Sequence, residues 1–148
     1  MKEWLTVVAC AVLLLAACAE PLSRERFIIS DGSGEYSFPV EMNDSSAVYD
    51  LSFYTVIDRS PLHPDTLSFI PMALLWRSPS GRYFSENVYY PADSLRVCYR
   101  RGLEPVETGT WVLEVSVDNE PEGMRGLGLI VAKKSVYLQD ETKPKTNE

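Results

Sequence analysis

This sequence is poor in the residues that carry most side-chain chemistry. Its 148 residues include one histidine, His63, and outside residues 1–18 one cysteine, Cys98. A general base needs an orienting partner and usually a nucleophile within hydrogen-bond reach. His63 has only Asp65 near it in the chain and sits between Pro61 and Pro64, a setting that reads as a turn. Structural zinc takes four Cys or His ligands, more than His63 and Cys98 supply. Calcium takes carboxylates at alternate positions of one loop, and Asp44, Asp50 and Asp58 are too widely spaced for that. No serine stands in Gly-x-Ser-x-Gly, the strained turn of a hydrolase nucleophile. Gly126-Leu127-Gly128 lacks the third glycine and the following helix of a dinucleotide motif, so these glycines read as sites of close strand approach. The absences point away from an enzyme, and neither a cofactor nor a metal is expected.

Positive charge is also scarce. Fourteen Lys and Arg stand against 21 Asp and Glu, a formal net charge of −7. Nucleic acid demands a basic footprint, so it is not an expected partner, and anionic lipid heads would repel such a domain. The chain also lacks the run of about 20 apolar residues that spans a bilayer.

What it does have is a short apolar start. Leu5 to Leu15 fits the apolar core of a secretory signal, although Glu3 offsets Lys2 before it. Leu15-Ala16-Ala17-Cys18 then closes the segment with small residues before a cysteine. It resembles a bacterial lipoprotein signal, which implies cleavage before Cys18 and a diacylglyceryl and palmitate-type anchor on that thiol. Each buried CH₂ adds about 0.8 kcal/mol, so two or three chains hold a protein firmly. Residues 1–17 are therefore read as a signal peptide and 18–34 as a tether, with Phe27-Ile28-Ile29 as a candidate edge strand within it. The expected location is a bacterial cell envelope, and specifically its outer membrane. Cys10 leaves with the signal and Cys18 takes lipid, so Cys98 has no disulfide partner and reads as a small, buried strand residue.

From residue 35 to 138 the pattern is β, with no helical period. Tyr36, Phe38, Val40 and Met42 alternate over 35–42, where Pro39 requires an edge or bulge. Tyr49, Leu51, Phe53 and Ile57 share one face of 47–58, opposite Asp50, Ser52 and Asp58. Strands follow at 69–76, 82–90, 95–101 and 110–118, the last placing Trp111, Leu113, Val115 and Val117 on one face. The run 125–132 is apolar on both faces, as a central strand should be. Residues 136–138 extend it or form a small last element, and 139–148 are polar enough to predict a disordered tail. Short strands parted by Pro/Gly turns predict an all-β, two-sheet sandwich, jelly-roll or immunoglobulin-like. Trp76 and Trp111 are expected in its core. Trp76, Tyr83, Phe84, Tyr89 and Tyr90 fall on neighbouring strands, and Tyr83, Tyr89 and Tyr90 are the candidate ligand- or partner-contacting aromatics. They leave two functions open, a surface that stacks glycan rings in a nutrient-uptake system and an accessory domain that docks other envelope proteins.

Gly109-Thr110-Trp111-Val112-Leu113, the later Gly123-Met124-Arg125-Gly126-Leu127-Gly128-Leu129-Ile130-Val131, and the hairpin of Leu74-Leu75-Trp76 with Gly81-Arg82-Tyr83 resemble the gliding-motility lipoprotein family GldH. The likeness covers the last two-thirds of the exported chain. It departs at Pro61-Leu62-His63-Pro64-Asp65, where the family has a Tyr-Pro-Tyr-type segment, between Val117 and Met124, and at Lys133-Lys134. The resemblance implies a non-enzymatic, lipid-anchored accessory subunit of a gliding or secretion machinery in Bacteroidetes-type bacteria.

Overall fold

The structure, a computed structural model, describes residues 22–58, 69–92 and 94–135. The signal segment with Cys18, the loop of Pro61, His63 and Asp65, residues 136–138 and the polar tail lie outside the described residues. Eight strands occur among those described: β1 Ser23–Ile29, β2 Glu35–Met42, β3 Ala47–Ile57, β4 Phe69–Arg77, β5 Tyr83–Pro91, β6 Arg96–Leu103, β7 Gly109–Ser116 and β8 Met124–Ser135. They form two four-stranded antiparallel sheets, β1-β8-β3-β6 and β2-β7-β4-β5.

The pairing has a simple logic. β1 pairs with β8, β2 with β7, β3 with β6 and β4 with β5, a nested antiparallel ribbon closed by the β4–β5 hairpin. Rolling that ribbon adds the β3–β8 and β4–β7 ladders. The outcome is a jelly roll, which decides between the two sandwich types that the sequence left open. Alternation puts Phe38, Val40, Leu51, Phe53, Leu74, Leu113, Val115 and Leu127 between the sheets, with Trp76 and Trp111 among them as expected.

Local chemistry explains the exceptions. Pro39 lies on an edge strand with its neighbours alternating in and out. Pro71 lies within β4, a central strand, yet the β4–β7 ladder begins only at Ala73↔Ser116. The missing N–H of Pro71 therefore interrupts no second ladder. On the outer face of the first sheet, Phe27 and Tyr54 flank Gly128 in register. Their rings stack at 5.6 Å, and a Cβ on Gly128 would stand only 2.1 Å from Cε1 of the Tyr54 ring.

Two readings change. Residues 23–29, inside the stretch read as a tether, form β1 along its whole length against β8. The edge strand expected at Phe27-Ile28-Ile29 is its second half, and Arg24, Glu25 and Arg26 masked the first because an edge strand keeps its charges in water. Cys98 lies on β6, as expected of a strand residue, but is exposed. β6 is an edge strand that turns Val97 and Tyr99 toward the core and Cys98 outward.

Candidate functional site

The three tyrosines singled out from the sequence do not converge. β5 alternates, so Tyr83 and Tyr89 point outward, 61% and 69% exposed, whereas Tyr90 is 2% exposed in the core. The Tyr90 hydroxyl donates to the Ser94 carbonyl at 2.7 Å, and burial raises its pKa. Tyr90 is thus a packing residue, not a contacting one. Tyr83 and Tyr89 share a face but stand six positions apart, about 20 Å along the strand. No single sugar ring bridges that gap.

The inward side chains of the same region do converge. Where the edges of β5 and β6 meet, Phe84, Trp76 and Tyr99 form a stack of nearly parallel rings. Trp76 is 6.0 Å from Phe84 and 6.4 Å from Tyr99, with interplanar angles of 14°. Trp111 meets Trp76 edge-on at 6.2 Å. These rings, with Met42, Leu103, Pro105 and Val106, line a cleft of about 190 Å³. That is below the roughly 300–1,000 Å³ of drug-sized ligand sites, so the cleft suits one ring and not a chain of them. Phe84 is 48% exposed and offers the accessible aromatic surface.

A polar cluster sits on the rim. The Trp76 indole N–H donates to the Tyr99 hydroxyl at 2.9 Å, and that hydroxyl donates to Glu86. Arg100 forks onto both Glu86 carboxylate oxygens at 2.9 and 2.8 Å, with its guanidinium 5.2 Å from the Tyr99 ring centre. Burial, and then the Glu86 hydrogen bond, pushes the Tyr99 pKa up to about 12, so the phenol stays a donor. Opposite, the 104–108 segment is tied down twice. The Trp111 N–H donates to the Glu107 carbonyl at 2.9 Å, and the Glu107 carboxylate takes the Ser80 hydroxyl at 2.6 Å and an Arg82 hydrogen bond. The walls are therefore held before any ligand arrives.

A second hollow, of about 310 Å³, lies on the other flank between β1 and β2. Arg24, Arg26 and Glu41 rim it over Phe38, Leu129 and Val131. Phe38 is fully buried, so this larger hollow presents no stacking face. Among the described residues no group of three His, Cys, Asp or Glu stands close enough to hold a metal ion.

Sequence reasoning placed Trp76 and Trp111 in the core but did not assemble the cleft. Its walls come chiefly from β4, β5, β6 and β7, and the approach of the two sheet edges is not written in any local pattern. The even-numbered positions of β5 were the available signal. Phe84 and Glu86 share the inward parity of Tyr90, and an inward charge on an edge strand marks a place where the core opens.

No family model and no curated protein matches the chain. Among solved structures it is similar to the carbohydrate-binding module TmCBM61 in complex with β-1,4-galactotriose. The two share 18% identity at a TM-score of 0.37, over 76% of this chain and 88% of that one.

Proposed function

We propose that this protein is a non-catalytic, lipid-anchored domain of a bacterial cell envelope that binds carbohydrate in the β5–β6 cleft. The observation that carries the reading is the wall of Phe84, Trp76, Tyr99 and Trp111 beside the Glu86–Arg100 pair. Aromatic faces pack against the C–H side of a sugar ring, while a fixed carboxylate and guanidinium exchange hydrogen bonds with its hydroxyls. Cys18 supplies the anchor, as the Leu15–Cys18 motif implies.

Titration of the purified protein with neutral mono- and oligosaccharides tests the reading. Phe84→Ala removes an aromatic contact of about 0.5–1.5 kcal/mol and should weaken binding about 2- to 12-fold. Tyr89→Ala, on the outer face, should leave it unchanged. A reversed pattern moves the site to the outer face, and absence of saccharide binding rejects the reading.

One observation favours a second reading, the accessory envelope subunit implied by the GldH resemblance. Phe27, Ile29 and Val56 are exposed together on the outer face of the first sheet, and such a patch suits protein docking. Gliding or secretion-machine subunits recovered with the tagged protein from native membranes would support that role.

A further inference from the structure

The register defines two ends of the sandwich. Ser23 lies opposite Ala132, Ala47 opposite Ser135, Tyr49 opposite Leu103 and Met42 opposite Gly109. β1 therefore begins at the same end that carries the 43–46 turn, the 78–82 turn and the 104–108 segment. The aromatic cleft lies toward that end, since Met42, Leu103, Pro105 and Val106 help to line it. The 30–34 and 118–123 turns lie at the other.

The chain is fixed from Leu22 onward, because the Lys133 N–H donates to the Leu22 carbonyl at 2.7 Å. Cys18 precedes Leu22 by four residues, which span at most about 14 Å. Eight-residue strands make the sandwich itself about 26 Å long. The link is shorter than the body it holds. We infer that the anchored domain stands on the bilayer with the β1-start end down, so that the cleft takes the sugar head group of a membrane-borne glycolipid in preference to a soluble chain. This rests on the lipid anchor and on carbohydrate binding as proposed above.

The composition of that end fits contact with the bilayer interface. Leu22 and Val106 are 74% and 79% exposed there, apolar side chains that a membrane surface would cover. Four of its basic groups pair with acids: Lys133 with Asp44 at 3.0 Å, and Lys134 with Asp50, Arg24 with Glu41 and Arg82 with Glu107. Contact is therefore apolar and does not call for anionic lipid.

The test uses the acylated mature protein carrying Cys98→Ser, with single fluorophores introduced at Ser45→Cys, Val56→Cys or Glu122→Cys. Each is reconstituted in phosphatidylcholine vesicles containing head-group spin-labelled phosphatidylcholine. Strong quenching at position 45 and weak quenching at 56 and 122 is expected. Equal quenching at 45 and 122, or strongest quenching at 56, overturns the orientation. Intact mass reports the acyl chains separately, so a failure of anchoring is seen as such. Soluble oligosaccharide should bind the detergent-solubilised protein more tightly than the vesicle-held one. Equal affinity overturns the membrane-borne ligand, and binding in neither state rejects the carbohydrate reading while leaving the orientation measured.

Discussion

Neighbouring tyrosines on β5 differ because a strand turns successive side chains to opposite faces. Tyr90 is buried with its hydroxyl on the Ser94 carbonyl, so Tyr90→Phe strands a carbonyl and should cost about 0.5–1.5 kcal/mol. Tyr89→Phe, on the outer face, should stay within about 0.5 kcal/mol. Urea titration of the two variants side by side checks the contrast. Gly128 poses a sharper case. A methyl there would clash with the ring of Tyr54, 2.1 Å from its Cε1, and overpacking of this kind costs about 1–3 kcal/mol. Gly128→Ala should therefore lower thermal stability, and adding Tyr54→Ala should restore part of the loss. A double-mutant cycle that shows strict additivity would mean that the two residues do not interact. Sequence suggested close strand approach at these glycines, but not which ring lies over them, because that depends on the β3–β8 register.

Along β2 to β7 alternation was legible to within a residue or two: 35–42 matches β2, 47–58 encloses β3, and 69–76 falls one residue short of β4, while the run 125–132 stops three residues short of the end of β8. The period-2 burial of Tyr36 to Met42 and of Trp111 to Val115 made this so. Of β1 only the Phe27–Ile29 end was legible as an edge strand, since Arg24 and Arg26 break the apolar pattern before it and the β8 ladder carries the strand back to Ser23. The loops depend on longer-range ties still. Hydrogen bonds from Ser80, then Arg82, hold the Glu107 pKa down to about 2 from 4.5. Ser46 and Lys133 hold Asp44 at about 2 against 3.8. A carboxylate depressed in the folded state contributes stability above its unfolded pKa and loses it as pH falls through the folded value. Both segments should accordingly loosen between about pH 4.5 and 2 and not at neutral pH. Amide exchange in 43–46 and 104–108 should accelerate in that window ahead of the strands, and Glu107→Gln should remove the pH step in the second segment alone.

For the molecule as a whole, the nested ribbon brings the sheet edges together without any local signal, which is why the cleft and the jelly-roll order escaped the sequence while the strand faces did not. The ribbon also fixes Leu22, the first described residue, at the β1-start end, and so how the domain would meet the proposed anchor on Cys18. On the proposed cleavage before Cys18, Lys2 and Glu3 would leave together and cancel, and the anchored chain would keep a net charge of −7. A domain of that charge gains nothing from anionic head groups, so in the proposed arrangement its membrane affinity would come chiefly from acyl chains at about 0.8 kcal/mol per buried CH₂, with apolar contact at Leu22 and Val106 adding to it. Two consequences distinguish this from electrostatic adsorption. High salt, which screens charge within a few ångströms, should release none of the native protein from membranes. Cys18→Ala should abolish palmitate labelling and shift the protein out of the salt-resistant fraction. If that variant is labelled fully, or the native protein washes off with salt, the anchor is not on Cys18.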